Sequence, residues 1–191
     1  MGKLFGFEHE IKLKKDATPV KQKVRNVPFS VRKELQAVLE KLLEDDVIEE
    51  IESSEWVSPI VLSKKSNGDL RLCVDLRALN ECIMIDGHPL PKINDLLSLL
   101  EGADTFSTLD LRNAYHQVEL SKNSRTLTAF ITPFGLYQFK RMPFGLASAS
   151  SVFQRMMFKI FKDMEYCVRC FQDDILIFTK GDDYHRVVLE K

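Results

Sequence analysis

Two adjacent aspartates near the C-terminal end, Asp173 and Asp174, constrain the fold of this chain more than any other feature. They follow Gln172 and lie between two largely apolar, strand-prone runs, residues 166–171 and 175–179. A polar Gln-Asp-Asp tip between such runs predicts a tight β-hairpin. Side-by-side carboxylates repel each other unless a positive charge lies with them, and paired oxygen ligands on a rigid hairpin suit a hard cation such as Mg²⁺. A solvated turn is the alternative that the pair alone leaves open.

A third carboxylate, Asp110, ends another segment with strand-like alternation. Phe106, Thr108 and Asp110 share one face of the predicted strand, because successive side chains of a strand alternate between faces. One aspartate from this strand and two from a neighbouring hairpin can hold two metal ions roughly 3.5–4 Å apart, which is the arrangement for in-line phosphoryl displacement. The pattern alone does not establish that the two strands are neighbours.

Composition limits the remaining possibilities. The 191 residues allow one domain or two small subdomains, and an apolar fraction of 45% is enough for a core. The net charge of −1 hides a basic N-terminal stretch and an acidic stretch over residues 40–55, each of which is most simply a solvated face. No apolar run approaches the length of a membrane span, and the N-terminal residues lack the apolar region of a signal peptide, so we expect a protein that is neither membrane-bound nor secreted. The four cysteines are predicted to be reduced thiols.

The predicted elements alternate between helices and strands, which indicates an α+β fold. They are a helix capped by Ser30, strands at 57–62 and 70–74 joined around Asn67-Gly68, a helix after Pro91, the Asp110 strand, strands at 126–131 and 137–140, a helix beginning at Ser148 or Ser150, the Asp-Asp hairpin and a C-terminal helix.

Six motifs stand in order along the chain: 56–62, 64–80, 89–93, 109–118, 141–147 and 171–174. With them, the chain resembles the fingers and palm of a reverse transcriptase of the long-terminal-repeat retrotransposon class related to gypsy elements. The resemblance covers roughly residues 9–190. It implies a right-hand polymerase fold whose palm is an antiparallel, ferredoxin-like or RRM-like sheet backed by helices.

The resemblance also implies a division of the chain and an activity. The expected parts are an extended N-terminal segment (1–28), fingers (29–88), palm with the first catalytic motif (89–125), a return to the fingers (126–145) and palm with the Asp-Asp hairpin (146–191), with thumb, connection and RNase H regions absent. The expected activity is RNA-directed DNA polymerisation, a nucleotidyl transfer of dNTPs onto a primer 3′-hydroxyl by a domain of a retrotransposon polyprotein.

Three groups of site residues follow from the resemblance. The expected catalytic residues are Asp110, Asp173 and Asp174, which with the Leu111 carbonyl would bind two Mg²⁺ ions, or Mn²⁺ in their place. The expected nucleotide-binding residues are Lys64, Lys65, Arg71, Asn113, Ala114, Tyr115 and Phe144, with Tyr115 excluding a 2′-hydroxyl. The expected template or primer contacts are Pro143, Gly145, Phe171 and Gln172.

The implied partners are an RNA or DNA template, a DNA or tRNA primer and dNTPs, in the cytoplasm, a virus-like particle or the nucleus. Two positions depart from the family pattern, since Phe171 replaces a tyrosine and Ser150 a proline. Two other interpretations of the function remain open. One is a non-catalytic retroelement remnant that at most binds nucleic acid or a partner. The other is a palm-fold cyclase or two-metal nuclease, which leaves the motifs around Gly68 and Phe144 unexplained.

Overall fold

The computed structural model describes residues 2–64, 66, 68–85, 98–171 and 173–190. The chain forms two compact units, each built from two separate stretches. Unit 1 comprises Met1–Ile85 and Tyr115–Ala149, and unit 2 comprises Asp86–Ala114 and Ser150–Lys191. The assignment of fingers and palm to particular ranges stays a prediction. The motif at 89–93 and the helix expected after Pro91 lie mostly outside the described residues.

The elements follow in chain order. The strands are β1 (Glu8–His9), β2 (Ile48–Glu50), β3 (Ser58–Lys64), β4 (Leu70–Val74), β5 (Thr105–Asp110), β6 (Glu119–Leu120), β7 (Phe130–Thr132), β8 (Gly135–Phe139), β9 (Val168–Phe171) and β10 (Asp174–Thr179). The helices are α1 (Phe29–Glu44), α2 (Arg77–Cys82), α3 (Lys122–Arg125), α4 (Ala149–Ile160) and α5 (Asp182–Leu189). No helix in the described part of the chain is both long and apolar enough to cross a membrane.

Unit 1 contains a five-stranded mixed sheet in the order β2-β8-β7-β3-β4. β3 pairs with β7 in parallel, and the other neighbours pair antiparallel. The predicted hairpin around Gly68 is confirmed, because Lys64 pairs with Leu70 and the two strands run antiparallel on either side of the loop. Gly68 has a φ of 89°, a conformation that glycine adopts without strain. Asn67 lies outside the described residues.

Two sequence predictions in unit 1 are wrong in detail. Residues 126–128 form a 3₁₀ turn rather than the start of a strand, because the Thr128 hydroxyl donates to the Arg125 carbonyl (2.7 Å) and accepts from the Phe139 amide (3.1 Å). Such side-chain bonds to the backbone compete with strand pairing. Helix α1 begins at Phe29 with Pro28 as the N-cap residue, so Ser30 lies inside the helix and does not cap it.

Unit 2 contains a three-stranded antiparallel sheet in the order β5-β10-β9. Helix α4 contacts β9 through Gln154, whose Nε2 donates to the Cys170 carbonyl at 2.8 Å. Helix α5 contacts both β5 and β10 through the buried side chain of His185. Cys167 and Cys170 are buried free thiols, and burial raises the pKa of Cys170 to about 12. The predicted Asp-Asp hairpin is confirmed. Its strands are Val168–Phe171 and Asp174–Thr179, which pair antiparallel, and the second of them is the middle strand of the sheet.

Candidate functional site

The register of unit 2 brings the predicted catalytic aspartates together on the backbone. β10 lies between β5 and β9, and Asp174 pairs directly with Asp110 on β5. Asp173 lies in the turn before β10, next to Asp174. The open question of whether the two strands are neighbours is therefore answered, because they pair along the full length of β5 from Thr105 to Asp110.

Asp110 and Asp174 point from the same face of the sheet. The Leu111 amide donates to the Asp173 carbonyl at 3.1 Å. In an antiparallel ladder this makes the adjoining Asp110–Asp174 pair a non-hydrogen-bonded pair, the class whose Cα atoms are about 4.5 Å apart and whose side chains are closest. Two like charges placed directly opposite each other destabilise a sheet. Both side chains are exposed, and none of the ion pairs between described residues includes Asp110, Asp173 or Asp174.

The chemistry of these donors fits a hard divalent cation, since Mg²⁺ binds carboxylate and carbonyl oxygens. The residue types and the strand register of the three aspartates are therefore both compatible with a bound divalent cation. Among the described residues, however, no three His, Cys, Asp or Glu side chains converge closely enough to hold one ion. The backbone therefore places Asp110 opposite Asp174, but no third side chain of these types completes a metal-binding group among the described residues. The predicted Leu111 carbonyl accepts from the Ala114 amide at 3.2 Å and keeps a second lone pair.

The turn after β5 carries two of the predicted nucleotide-binding residues. Asn113 has a φ of 53°, a left-handed conformation that asparagine tolerates better than most residues. Ala114 is buried, and its amide already donates to Leu111. A phosphate contact by this amide would share or replace that bond. On the hairpin, Phe171 is half-buried and pairs with Asp174, and Gln172 lies outside the described residues.

In unit 1, three other predicted nucleotide-binding residues form one cluster. The Tyr115 and Phe144 rings lie 5.1 Å apart between centroids, at an angle of 57°. The Arg71 guanidinium carbon lies 6.0 Å from the centroid of the Phe144 ring, a cation–π distance. Lys64 is exposed at the end of β3, and Lys65 lies outside the described residues. The structure thus brings Arg71, Tyr115 and Phe144 together, as a common nucleotide contact requires.

His116 supports this cluster and was missed by sequence reasoning. Its ring meets Phe144 edge-on at 5.0 Å and stacks on Phe139 at 6.1 Å, and its Nδ1 lies 3.2 Å from the Met142 carbonyl. Burial, reinforced by the Arg141 guanidinium, lowers the pKa of His116 to about 4. A single histidine without a partner at ligand spacing gives no sequence signal for such a role.

The loop that carries the predicted template contacts is held by Asn80. Asn80 Nδ2 donates to the Gly145 carbonyl and its Oδ1 accepts from the Ala147 amide, both at 2.8 Å. Gly145 is exposed with a φ of 85°, so a side chain there would be strained. Pro143 is buried, and its role as a template contact stays a prediction.

A second feature missed from sequence is the ion cluster at the end of β4. Asp75 accepts from Arg77 at 2.7 and 2.8 Å and from Arg25 at 2.5 Å. These bonds, the Arg77 guanidinium first, hold the pKa of the Asp75 carboxyl well below its usual range. Asp75 therefore ties the N-terminal segment to the end of the β3–β4 hairpin.

The family described as "Reverse transcriptase (RNA-dependent DNA polymerase)" matches residues 62–191. The retrovirus-related Pol polyprotein from transposon 412 of Drosophila melanogaster is 39% identical over 178 residues, covering 90% of this chain and 14% of that protein. The Pol polyprotein from transposon gypsy of the same organism is 36% identical over 154 residues, covering 77% of this chain and 15% of that protein. The chain thus spans a small part of these relatives.

Among solved structures, the foamy viral protease-reverse transcriptase in complex with RNA/DNA hybrid matches with a TM-score of 0.82 and 23% identity. The match covers 96% of this chain and 24% of that one. It confirms the predicted fold class, and the sequence relatives confirm the predicted resemblance.

Proposed function

This chain belongs to the reverse transcriptase (RNA-dependent DNA polymerase) family, and from that premise we propose that it carries the nucleotidyl-transfer site of an RNA-directed DNA polymerase from a retrotransposon polyprotein. The observation that carries the proposal is the register of unit 2. Asp110 pairs with Asp174, and Asp173 lies in the adjoining turn. A fold that sets unneutralised aspartates opposite each other on an open face is costly without a cation to bind.

Members of this family generally depend on a divalent metal ion. Asp110, Asp173 and Asp174, with the Leu111 carbonyl, are the residues proposed to hold Mg²⁺ or Mn²⁺. Two such ions, when bound, would supply the charge that activates a primer 3′-hydroxyl and stabilises the leaving pyrophosphate. The protein's own part is to hold these oxygens on paired strands and keep them open to solvent, so that a triphosphate can reach them.

The unit 1 cluster is proposed to bind the incoming dNTP. Arg71 offers a planar guanidinium for phosphate oxygens, and the exposed Lys64 a compact ammonium. Tyr115 and Phe144 present adjoining rings, which suit contact with a deoxyribose that lacks a 2′-hydroxyl. Support for this assignment is the contact of Phe144 with both Tyr115 and Arg71.

The proposed partners are an RNA or DNA template and a DNA or tRNA primer. Their support is the fold shared with the foamy viral enzyme, which was solved with an RNA/DNA hybrid. The proposed contacts are Pro143, Gly145, Phe171 and Gln172. The proposed site of action is the cytoplasm, a virus-like particle or the nucleus.

The test is primer extension on an RNA template with Mg²⁺ or Mn²⁺. The chain is assayed together with any sequence encoded downstream of it in the same reading frame. Incorporation is expected for the wild type and for Asp163→Asn, which removes an exposed acid elsewhere in unit 2. Asp110→Asn and Asp173→Asn are each expected to abolish it. Undiminished incorporation by either variant would overturn the assignment. Primer–template binding without any incorporation would favour the nucleic-acid-binding remnant.

A further inference from the structure

His185 occupies a position in unit 2 that neither the sequence motifs nor the proposed chemistry explains. It lies on helix α5 and is 5% exposed. Its Nε2 lies 2.8 Å from the Ser107 hydroxyl on β5, and its Nδ1 lies 2.8 Å from the Thr179 hydroxyl on β10. One imidazole therefore joins the two strands that end in Asp110 and begin with Asp174.

These bonds lie on the face of the sheet opposite the aspartates. Ser107 is three residues before Asp110, and Thr179 is five residues after Asp174, so each pair alternates to opposite faces. A change at His185 would therefore leave the aspartate side chains untouched. Any effect it had on them would pass through the position of the strands.

Burial of its side chains does little to set the register of β5. Each of its side chains is at least partly exposed, with Phe106 at 49% and Leu109 at 45%. Register is strongly specified where one face of a strand is buried, and weakly where it is not. A slip of one residue would replace Asp110 by a leucine opposite Asp174 and send the acid to the other face.

Hydrogen bonds also hold the other end of the β5–β10 pair, where Thr105 lies opposite Thr179. Asp104 Oδ1 accepts from the Gly181 amide at 2.7 Å and from the Thr105 hydroxyl at 2.9 Å, and the Asp104 amide donates to the Thr179 carbonyl at 3.0 Å. His185 lies between this end and the carboxylates. Several side-chain hydrogen bonds between described residues hold this end of β5. Of these, the bond from His185 to Ser107 is the one nearest to Asp110.

We propose that His185 is a positioning residue: by bonding Ser107 and Thr179 it holds β5 in register with β10 and so sets the spacing of Asp110 from Asp173 and Asp174. This inference rests on the proposed function, because it takes those carboxylates as the metal ligands. Removal of a group that hydrogen-bonds a metal ligand directly typically changes metal affinity 10–100-fold, and because His185 acts one step further away, through the strands, we expect an effect no larger than the lower end of that range.

The test measures Mn²⁺ binding to the full chain by the loss of the free-ion electron paramagnetic resonance signal, so it does not depend on catalysis. His185→Leu keeps an apolar side chain and loses both bonds. We expect it to bind Mn²⁺ about tenfold more weakly than the wild type. His185→Gln, whose amide can reach Ser107, should recover part of that loss. A second readout is hydrogen exchange at the Leu111 amide, which should be faster in His185→Leu.

The matched control is Val188→Ala, which removes buried volume from the same helix. It should lower stability without changing Mn²⁺ affinity or Leu111 exchange in the folded protein. If His185→Leu does not fold, the test uses Ser107→Ala, which removes only the bond to β5. This variant should likewise bind Mn²⁺ more weakly and exchange the Leu111 amide faster than the wild type.

Two negative results are distinguishable. Wild-type Mn²⁺ affinity in folded His185→Leu, with Asp110→Asn impaired, would overturn the inference and leave the proposed function standing. Wild-type affinity in Asp110→Asn would overturn the metal site itself, and the inference with it.

Discussion

The backbone amide of Leu111 donates to the carbonyl of Asp173 at 3.1 Å, so the strand that ends in Asp110 is fastened to the turn that carries the next acid. This bond lies one residue beyond the Asp110–Asp174 pair. It places three carboxyl-bearing residues on a hydrogen-bonded framework.

The first prediction concerns the electrostatic cost of that framework. In buffer with a chelator, Asp110→Asn should raise the free energy of unfolding by a few tenths of a kcal/mol, because it removes one of two like charges directly opposite each other. Added Mg²⁺ should stabilise the wild type and leave the variant nearly unchanged. Urea unfolding measures both effects, with Asp163→Asn as the control acid. A less stable Asp110→Asn in chelator would show that the charges are not in conflict.

A second prediction concerns the left-handed backbone at Gly145. Gly145→Ala should destabilise the protein by about 1–2 kcal/mol, since a β-carbon is strained at a φ of 85°. The space is not the cause, because the added carbon would lie 3.9 Å from the nearest atom, the Val74 carbonyl oxygen. Urea unfolding provides the measurement. Gly2→Ala, where no positive φ occurs, should leave stability unchanged.

The third prediction is a pH dependence from His116. Its pKa is about 4 in the folded protein and 6.5 in an unperturbed chain, so the unfolded state binds the proton more readily between these values. Stability should therefore be complete above about pH 6.5 and fall as the pH drops towards 4, by up to about 3 kcal/mol in total. His116→Phe keeps a ring against Phe144 and should flatten this part of the profile. Urea unfolding across the window tests it. An equally steep profile in the variant would assign the dependence to another group.

A fourth prediction concerns the Asp75 ion cluster. Asp75→Asn should cost about 2 kcal/mol, because it leaves two guanidinium groups beside a buried, uncharged amide. Arg77→Ala should cost clearly less than Asp75→Asn, since the Arg77 side chain is 82% exposed and water screens its ion pair. Thermal or urea unfolding of the two variants gives the comparison. Equal losses would mean that the carboxylate is not the centre of the cluster.

The fifth prediction concerns sugar selection. Tyr115→Ala should reduce the preference for dNTPs over rNTPs by about tenfold or more, because it opens space beside Phe144 where a 2′-hydroxyl could enter. The readout is kcat/KM for matched deoxy- and ribonucleotides. Tyr184→Ala, an exposed tyrosine on α5, is the control. Unchanged discrimination in Tyr115→Ala would remove this residue from the nucleotide contact.

The carboxylate strands were predictable because two simple rules agree there. Side chains alternate along a strand, and polar residues interrupt apolar runs at turns, so the hairpin at Asp173 and the strand ending at Asp110 could both be identified. Their pairing could not, because alternation says nothing about which strands are neighbours. Residues 126–128 were misassigned because threonine favours strands, whereas the Thr128 hydroxyl bonds the backbone at Arg125 and Phe139 and so competes with strand pairing.

The residues that support the site could not be predicted from the sequence, for a different reason. His116, His185 and Asn80 each form at least one bond to a residue 26 to 78 positions away in the chain. No local pattern marks such a partner. A motif identifies the groups that meet a ligand, whereas the side chains that hold them in place become visible only with the fold.

The interleaving of the two units has a consequence for how the protein is made. Unit 1 resumes at Tyr115 and ends at Ala149, and unit 2 resumes only at Ser150. During synthesis all the strands of the unit 1 sheet are available once β8 has emerged from the ribosome, before the second stretch of unit 2 has been made. Asp110 is made early but has no partner strand until β10 follows. Translation that stalls between these points would leave a nascent chain with one finished sheet and an unpaired β5, an exposed strand open to aggregation.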